Sequence, residues 1–121
     1  MRQTAMALKD FFSGFGLPAY EEYSVPEDVE LPYITYSLAE PEPFEKASMY
    51  AQVWFRTKSN AEILEVADAI VGAIGVGKIL ENRGGYTVLW NETPNIQILV
   101  DDDVRRAYIN LSIKSYNLPG V

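Results

Sequence analysis

Residues 47 to 57 read "ASMYAQVWFRT", and their strict alternation decides the fold. A period of two belongs to a β-strand with one side on a core and the other turned away. Met49, Ala51, Val53 and Phe55 make the apolar side; Ser48, Tyr50, Gln52, Trp54 and Arg56 make the other. A tyrosine and a tryptophan on the side expected to meet water need a reason. Half-exposed aromatics can pair across strands, for ~0.2–1 kcal/mol per pair. Alternatively they serve an interface, where Tyr, Trp and Arg are over-represented because each offers large area and a polar tip. We read this side as an interface.

Working outward, "YITYSL" (33–38) is a second strand, with Ile34, Tyr36 and Leu38 on one side. Prolines at 26, 32, 41 and 43 suit its flanks, because proline cannot donate to a sheet ladder. "AEPEPFEK" joins it to the opening stretch, which predicts an antiparallel hairpin with a long acidic tip. Downstream, "SNAE" reads as a capping box, Ser59 capping and Glu62 reaching back. The helix it opens spans about Asn60 to Ile74, with Ile63, Leu64, Ala67, Ile70, Val71 and Ile74 as one stripe. Each buried aliphatic chain contributes ~1.5–3 kcal/mol before entropy. "GVG" ends it. An earlier helix carries Leu8, Phe11, Phe12 and Phe15, with Thr4 as its cap; Gly14, Gly16 and Pro18 stop it.

The remainder reads as sheet. "KIL" is a possible short strand and "RGG" a turn; "YTVLWN" and "IQILV" alternate around a turn at "ETPN". "DDD" is a hairpin tip before a long last strand, "RAYINLSIKSY". There Ala107, Ile109, Leu111 and Ile113 face the core; Arg106, Tyr108, Asn110, Ser112, Lys114 and Tyr116 face away. The predicted order is α-β-β-α-β-β-β. Its economical packing is an α+β two-layer domain over residues 1–121, with two helices on one face of a mainly antiparallel sheet. The expected interface residues are Tyr50, Trp54, Arg56, Tyr108 and Tyr116, and Trp54→Ser is expected to weaken assembly without harming the fold.

Composition narrows the chemistry. The 121 residues include no cysteine and no histidine, which excludes disulfides, the usual zinc sites and Ser-His or Cys-His nucleophiles. A net charge of −7 argues against gripping nucleic acid, whose binding draws on Lys and Arg. "VADAIVGAIGV" is far short of the ~20 apolar residues that cross a bilayer, and the N-terminus has no signal-like apolar run. A soluble, intracellular protein is the expectation. Asp101, Asp102 and Asp103 are the weak candidates for a hard cation, since consecutive carboxylates diverge. Paired acids for general acid/base work have no visibly apolar setting, and neither "GFGLPAY" nor "GVGK" has phosphate-cradling spacing. No enzyme and no cofactor is expected.

Between Tyr20 and Glu45 stand eight acids, Glu21, Glu22, Glu27, Asp28, Glu30, Glu40, Glu42 and Glu45, with no Lys or Arg. Leu31, Tyr33, Ile34, Tyr36, Leu38 and Phe44 lie among them, more anchoring than a disordered tail carries. We expect a packed strand flanked by loops that become fixed on assembly.

"ELPYITYSL", "YAQVWFRTKSNAEILEVADAIVGAI" and "RRAYINLSIKSYNL" together resemble the tail terminator (tail completion) proteins of long-tailed bacteriophages and prophages, with "LPYITY" the strongest cue. The resemblance implies an α+β structural protein of the virion that assembles as a hexameric ring on the tail tube. Such a ring stops tube polymerisation and serves head–tail joining. Implied partners are other copies of itself, the tail tube protein and the head–tail connector, with no membrane and no sequence-specific nucleic acid. The implied location is host cytoplasm, then the virion tail. Acids of the 21–45 run facing the lumen, Glu21, Glu22, Glu27, Asp28, Glu40, Glu42 and Glu45, would keep passing DNA from sticking. Competing readings are another neck or head-completion protein, or a monomeric ferredoxin-like regulatory domain that binds a ligand.

Overall fold

The computed structural model describes residues 2–39 and 45–117. In chain order the elements are α1 (Arg2–Phe12), β1 (Ala19–Glu21), β2 (Tyr33–Tyr36), β3 (Lys46–Arg56), α2 (Ala61–Ile74), β4 (Lys78–Asn82), β5 (Gly85–Asp101) and β6 (Val104–Asn117). The strands form one sheet in the order β1-β2-β3-β6-β5-β4. The opening stretch is β3, and its alternation holds. Met49, Ala51, Val53 and Phe55 are buried against the helices, with Ala107, Ile109, Leu111 and Ile113 of β6 beside them. β2 pairs antiparallel with β3, as the hairpin reading expects.

The fold is α+β, but three features of the expected layout are corrected. First, Ala19–Glu21 is a strand, parallel to β2, so the sheet is mixed and the order is α-β-β-β-α-β-β-β. Three residues are too few to show a period in sequence. Second, "ETPN" is not a turn between strands. β5 runs through it, with an irregularity between Asn91 and Ile96. Asn91 pairs with Leu111 and Ile96 with Ile109, so β5 advances five residues while β6 retreats two. Three extra residues, an odd number, exchange the faces: Thr87, Leu89 and Asn91 lie on the helical side before the bulge, Ile96, Ile98 and Val100 after it. Third, the layers are not flat. α1 packs on both edge strands, β1 and β4, so the sheet curls until its two ends meet one helix. Phe12 and Leu8 of α1 and Ile63, Ala67, Ile70 and Ile74 of α2 enter one apolar cluster inside that curl.

Helix ends also differ from expectation. Thr4 lies within α1, fully buried, and does not cap it. The capping box does not form: Asn60 is the N-cap without a side-chain cap bond, its Oδ1 accepting from Arg105 at 2.7 Å. Ser59 Oγ instead accepts from the Ala61 N–H at 3.2 Å. At the other end Gly75, with φ of 55°, donates its N–H to Val71 O at 2.9 Å.

Candidate functional site

Strand register lays the outward face of the sheet in rows. The first is Tyr33–Trp54–Arg106–Leu99, crossing β2, β3, β6 and β5. Tyr33 and Trp54 ring centroids are 6.3 Å apart, and the Arg106 guanidinium lies 5.1 Å from the Trp54 ring. The indole Nε1–H of Trp54 donates to Thr35 Oγ1 at 2.9 Å, and Arg106 donates to Gln52 Oε1 at 2.9 Å. Tyr20 extends the ladder to the β1 edge, edge-on to Tyr33 at 6.0 Å, with Lys9 of α1 4.9 Å from its ring.

In the middle of the face Tyr50 and Tyr108 stack at 4.9 Å with rings 23° apart. The Tyr50 hydroxyl donates to Glu22 Oε1 at 2.7 Å. Accepting that proton is the main way Glu22 pushes the Tyr50 hydroxyl up to about 12, with burial second. The shift has a measurable sign. Below pH 10 both folded and unfolded chains hold the proton and the contribution is whole. Between pH 10 and about 12 the unfolded chain sheds its proton first, so stability falls as pH rises. Tyr50→Phe is therefore expected to lose less stability than wild type across that window, measured by urea unfolding at each pH. Equal losses in both chains would dissolve the Tyr50–Glu22 link.

The far end of the face holds the row Lys46–Lys114–Val88–Ile79, across β3, β6, β5 and β4. Two lysines stand directly opposite each other. Lys46 Nζ lies 4.7 Å from the Trp90 ring and Lys114 Nζ 5.2 Å from the Tyr116 ring. Glu92 Oε1 is 3.9 Å from Lys46 and accepts from Ser112 Oγ at 2.8 Å. Beside them Ile79 is 62% exposed and Tyr86 47% exposed. Gly77 lets Trp90 settle there: its φ is 154°, and a Cβ would stand 3.0 Å from the indole nitrogen.

The expected site residues therefore divide. Tyr50, Trp54 and Tyr108 share the first half of the face, half-buried and bonded within the chain. Tyr116 lies at the opposite end. Arg56, which lines one concavity with Tyr33 and Trp54, donates to Asp103 of the β5–β6 hairpin at 2.9 Å, and this hydrogen bond draws the Asp103 carboxyl below the usual range. Asp102, with φ of 57°, turns that hairpin, and Asp101 is exposed. Among the described residues no three Asp or Glu side chains converge as cation ligands would. Glu21 is spent locally, accepting from Tyr23 N–H at 3.1 Å and Ser24 Oγ at 3.0 Å. Glu27, Asp28 and Glu45 are exposed, whereas Glu40 and Glu42 lie outside the described residues.

Sequence reasoning put Arg106 and Lys114 on this side of the last strand without naming them as interface residues, and it missed Tyr33, Trp90 and Lys46 as parts of the face. The alternation of "YTVLWN" already placed Tyr86, Val88 and Trp90 together, but not beside Lys46 and Lys114, because that needs the β5–β6 register. No family model matches the chain and no curated protein matches its sequence, so a functional reading rests on this geometry and on the resemblance in its motifs.

Proposed function

We propose that the chain is a structural protein of a bacteriophage tail, of the tail-terminator kind, that caps the tail tube as a hexameric ring. In that role it ends tube polymerisation and joins the tube to the head connector, acting in the host cytoplasm and then in the virion, with no catalytic step. The observation that carries the reading is the outward face. Rows of tyrosine, tryptophan and arginine run across four strands there, partly exposed and pre-positioned by hydrogen bonds. Pre-positioning lowers the ordering cost of a contact, and such side chains dominate binding energy where surfaces meet. Open edges support it further. β4 ends its pairing at Leu89, so residues 96–101 of β5 pair with β6 and, among the described residues, with no strand on their other side; Leu99 and Val100 are exposed there.

The test is electron microscopy of the concentrated protein, alone and with polymerised tube protein. Six-fold rings, or density capping tube ends with tubes of limited length, are expected. A chain that neither forms rings nor touches tube ends removes the proposal.

A further inference from the structure

We infer that the Lys46–Lys114 patch receives the acidic 23–30 segment of a second copy of this chain. The inference rests on the assembly reading above and names the two surfaces that meet. Like charges directly opposite on neighbouring strands destabilise a sheet. Here Lys46 and Lys114 occupy that relation, each held over an aromatic ring, in a protein whose net charge is −7. The nearby carboxylate of Glu92 is 3.9 Å from Lys46, at the limit of an ion pair. Lys114 has no carboxylate among the described ion pairs, Glu81 stands opposite Tyr86 farther along the face, and beside the lysines Ile79 and Tyr86 leave apolar surface uncovered. Its complement must carry carboxylates and an apolar or aromatic group together.

The segment between β1 and β2 has that chemistry. Tyr23 stands 89% exposed, and Glu27, Asp28 and Glu30 are exposed beyond it. The described salt bridges join Lys46 to Glu92 and Arg56 to Asp103, so among the described residues these three acids pair with no cation. Position adds a second argument. The segment follows β1, one edge of the sheet, whereas Lys46 and Lys114 lie on β3 and β6, the two central strands, with Tyr86 and Ile79 on β5 and β4 beyond them. Two unlike patches at different places on one subunit make a heterologous contact, the kind that closes into a ring when the rotation permits. Glu27, Asp28 and Glu30 then lie at the joint between subunits, not in a lumen.

The experiment is a charge exchange read by sedimentation velocity at low salt. The acid-patch variant is Lys46→Glu with Lys114→Glu; the basic-segment variant is Glu27→Lys, Asp28→Lys and Glu30→Lys. Each alone is expected to weaken self-association at least about tenfold, through repulsion at the joint. Mixed one to one they should assemble again, because each then offers what the other lacks. Lys114→Glu alone should also raise the melting temperature of the monomer while weakening assembly, since it turns a like-charge pair into an attractive one. A purely structural lysine would not move those two readouts in opposite directions.

Variants that associate as the wild type does, or a mixture that stays apart while the wild type assembles, overturn the inference and leave the ring reading standing. Charge-dependent chains that never close support the inference and remove the ring. A wild-type chain that stays monomeric at the highest concentration reached overturns both.

Discussion

Phe12→Ala is expected to destabilise the chain by about 3–5 kcal/mol, the usual cost of emptying a buried phenylalanine site. Phe12 is fully buried, and its ring stacks on Tyr36 of β2 at 5.1 Å with planes 15° apart. It sits at the end of α1, the helix that touches both edge strands of the curled sheet. The loss therefore reaches further than one cavity. Without that ring, β2 loses its contact with the helix that holds β1 and β4 around the core. A domain of this size has roughly 5–15 kcal/mol to lose, so the variant keeps little margin. The fall in melting temperature should be ~10–20 °C. Phe12→Leu, which keeps most of the volume, should cost less than about 1.5 kcal/mol. Denaturant unfolding decides the matter. A change below about 1 kcal/mol for Phe12→Ala would mean that α1 does not hold the curl.

That curl is the part of the fold that sequence could not disclose. Period-two stretches are local signals, and they identified β3 and β6; the eight inward residues they named, Met49, Ala51, Val53, Phe55, Ala107, Ile109, Leu111 and Ile113, are all buried. The stripe of α2 was equally plain, because an amphipathic helix repeats its pattern over several turns. β1 escaped because three residues contain no repeat. The break at "ETPN" looked like a turn because an odd insertion reverses the alternation just as a new strand would. The capping box failed for a tertiary reason: Arg105, distant in sequence, binds Asn60 and sets the helix entry in place of Ser59.

The candidate face follows the same division. Tyr50, Trp54 and Tyr108 were legible as one side of two strands, and β3–β6 register does bring the two tyrosines together. Arg56 keeps its parity, and its guanidinium is bonded to the hairpin carboxylate of Asp103. The lysine pair needed the complete strand order. Each lysine is unremarkable within its own strand, and only adjacency makes them a charge conflict.

Trp54→Ser is expected to cost ~2–4 kcal/mol of stability, where the sequence alone led us to expect a spared fold. Trp54 is held from three sides: by the Tyr33 ring, by the Arg106 guanidinium and by the bond from its indole N–H to Thr35. The last contact matters because Thr35 is only 4% exposed. Removing the indole leaves a buried hydroxyl oxygen without its donor, whereas the half-exposed indole can turn to water when Thr35 is changed. Three variants separate the terms. Trp54→Phe keeps a ring and should lose ~1–2 kcal/mol, mainly the unmet hydroxyl. Adding Thr35→Val should restore most of that, since an apolar pair of matched shape has nothing unsatisfied. The double variant is then the right chain in which to measure assembly, because its fold is intact and its tryptophan is gone. Weakened ring formation in that variant would assign Trp54 to the contact between subunits. Undiminished rings would leave the indole as a brace between β2, β3 and β6, and would move the search for the interface to the lysine patch and the free edge of β5.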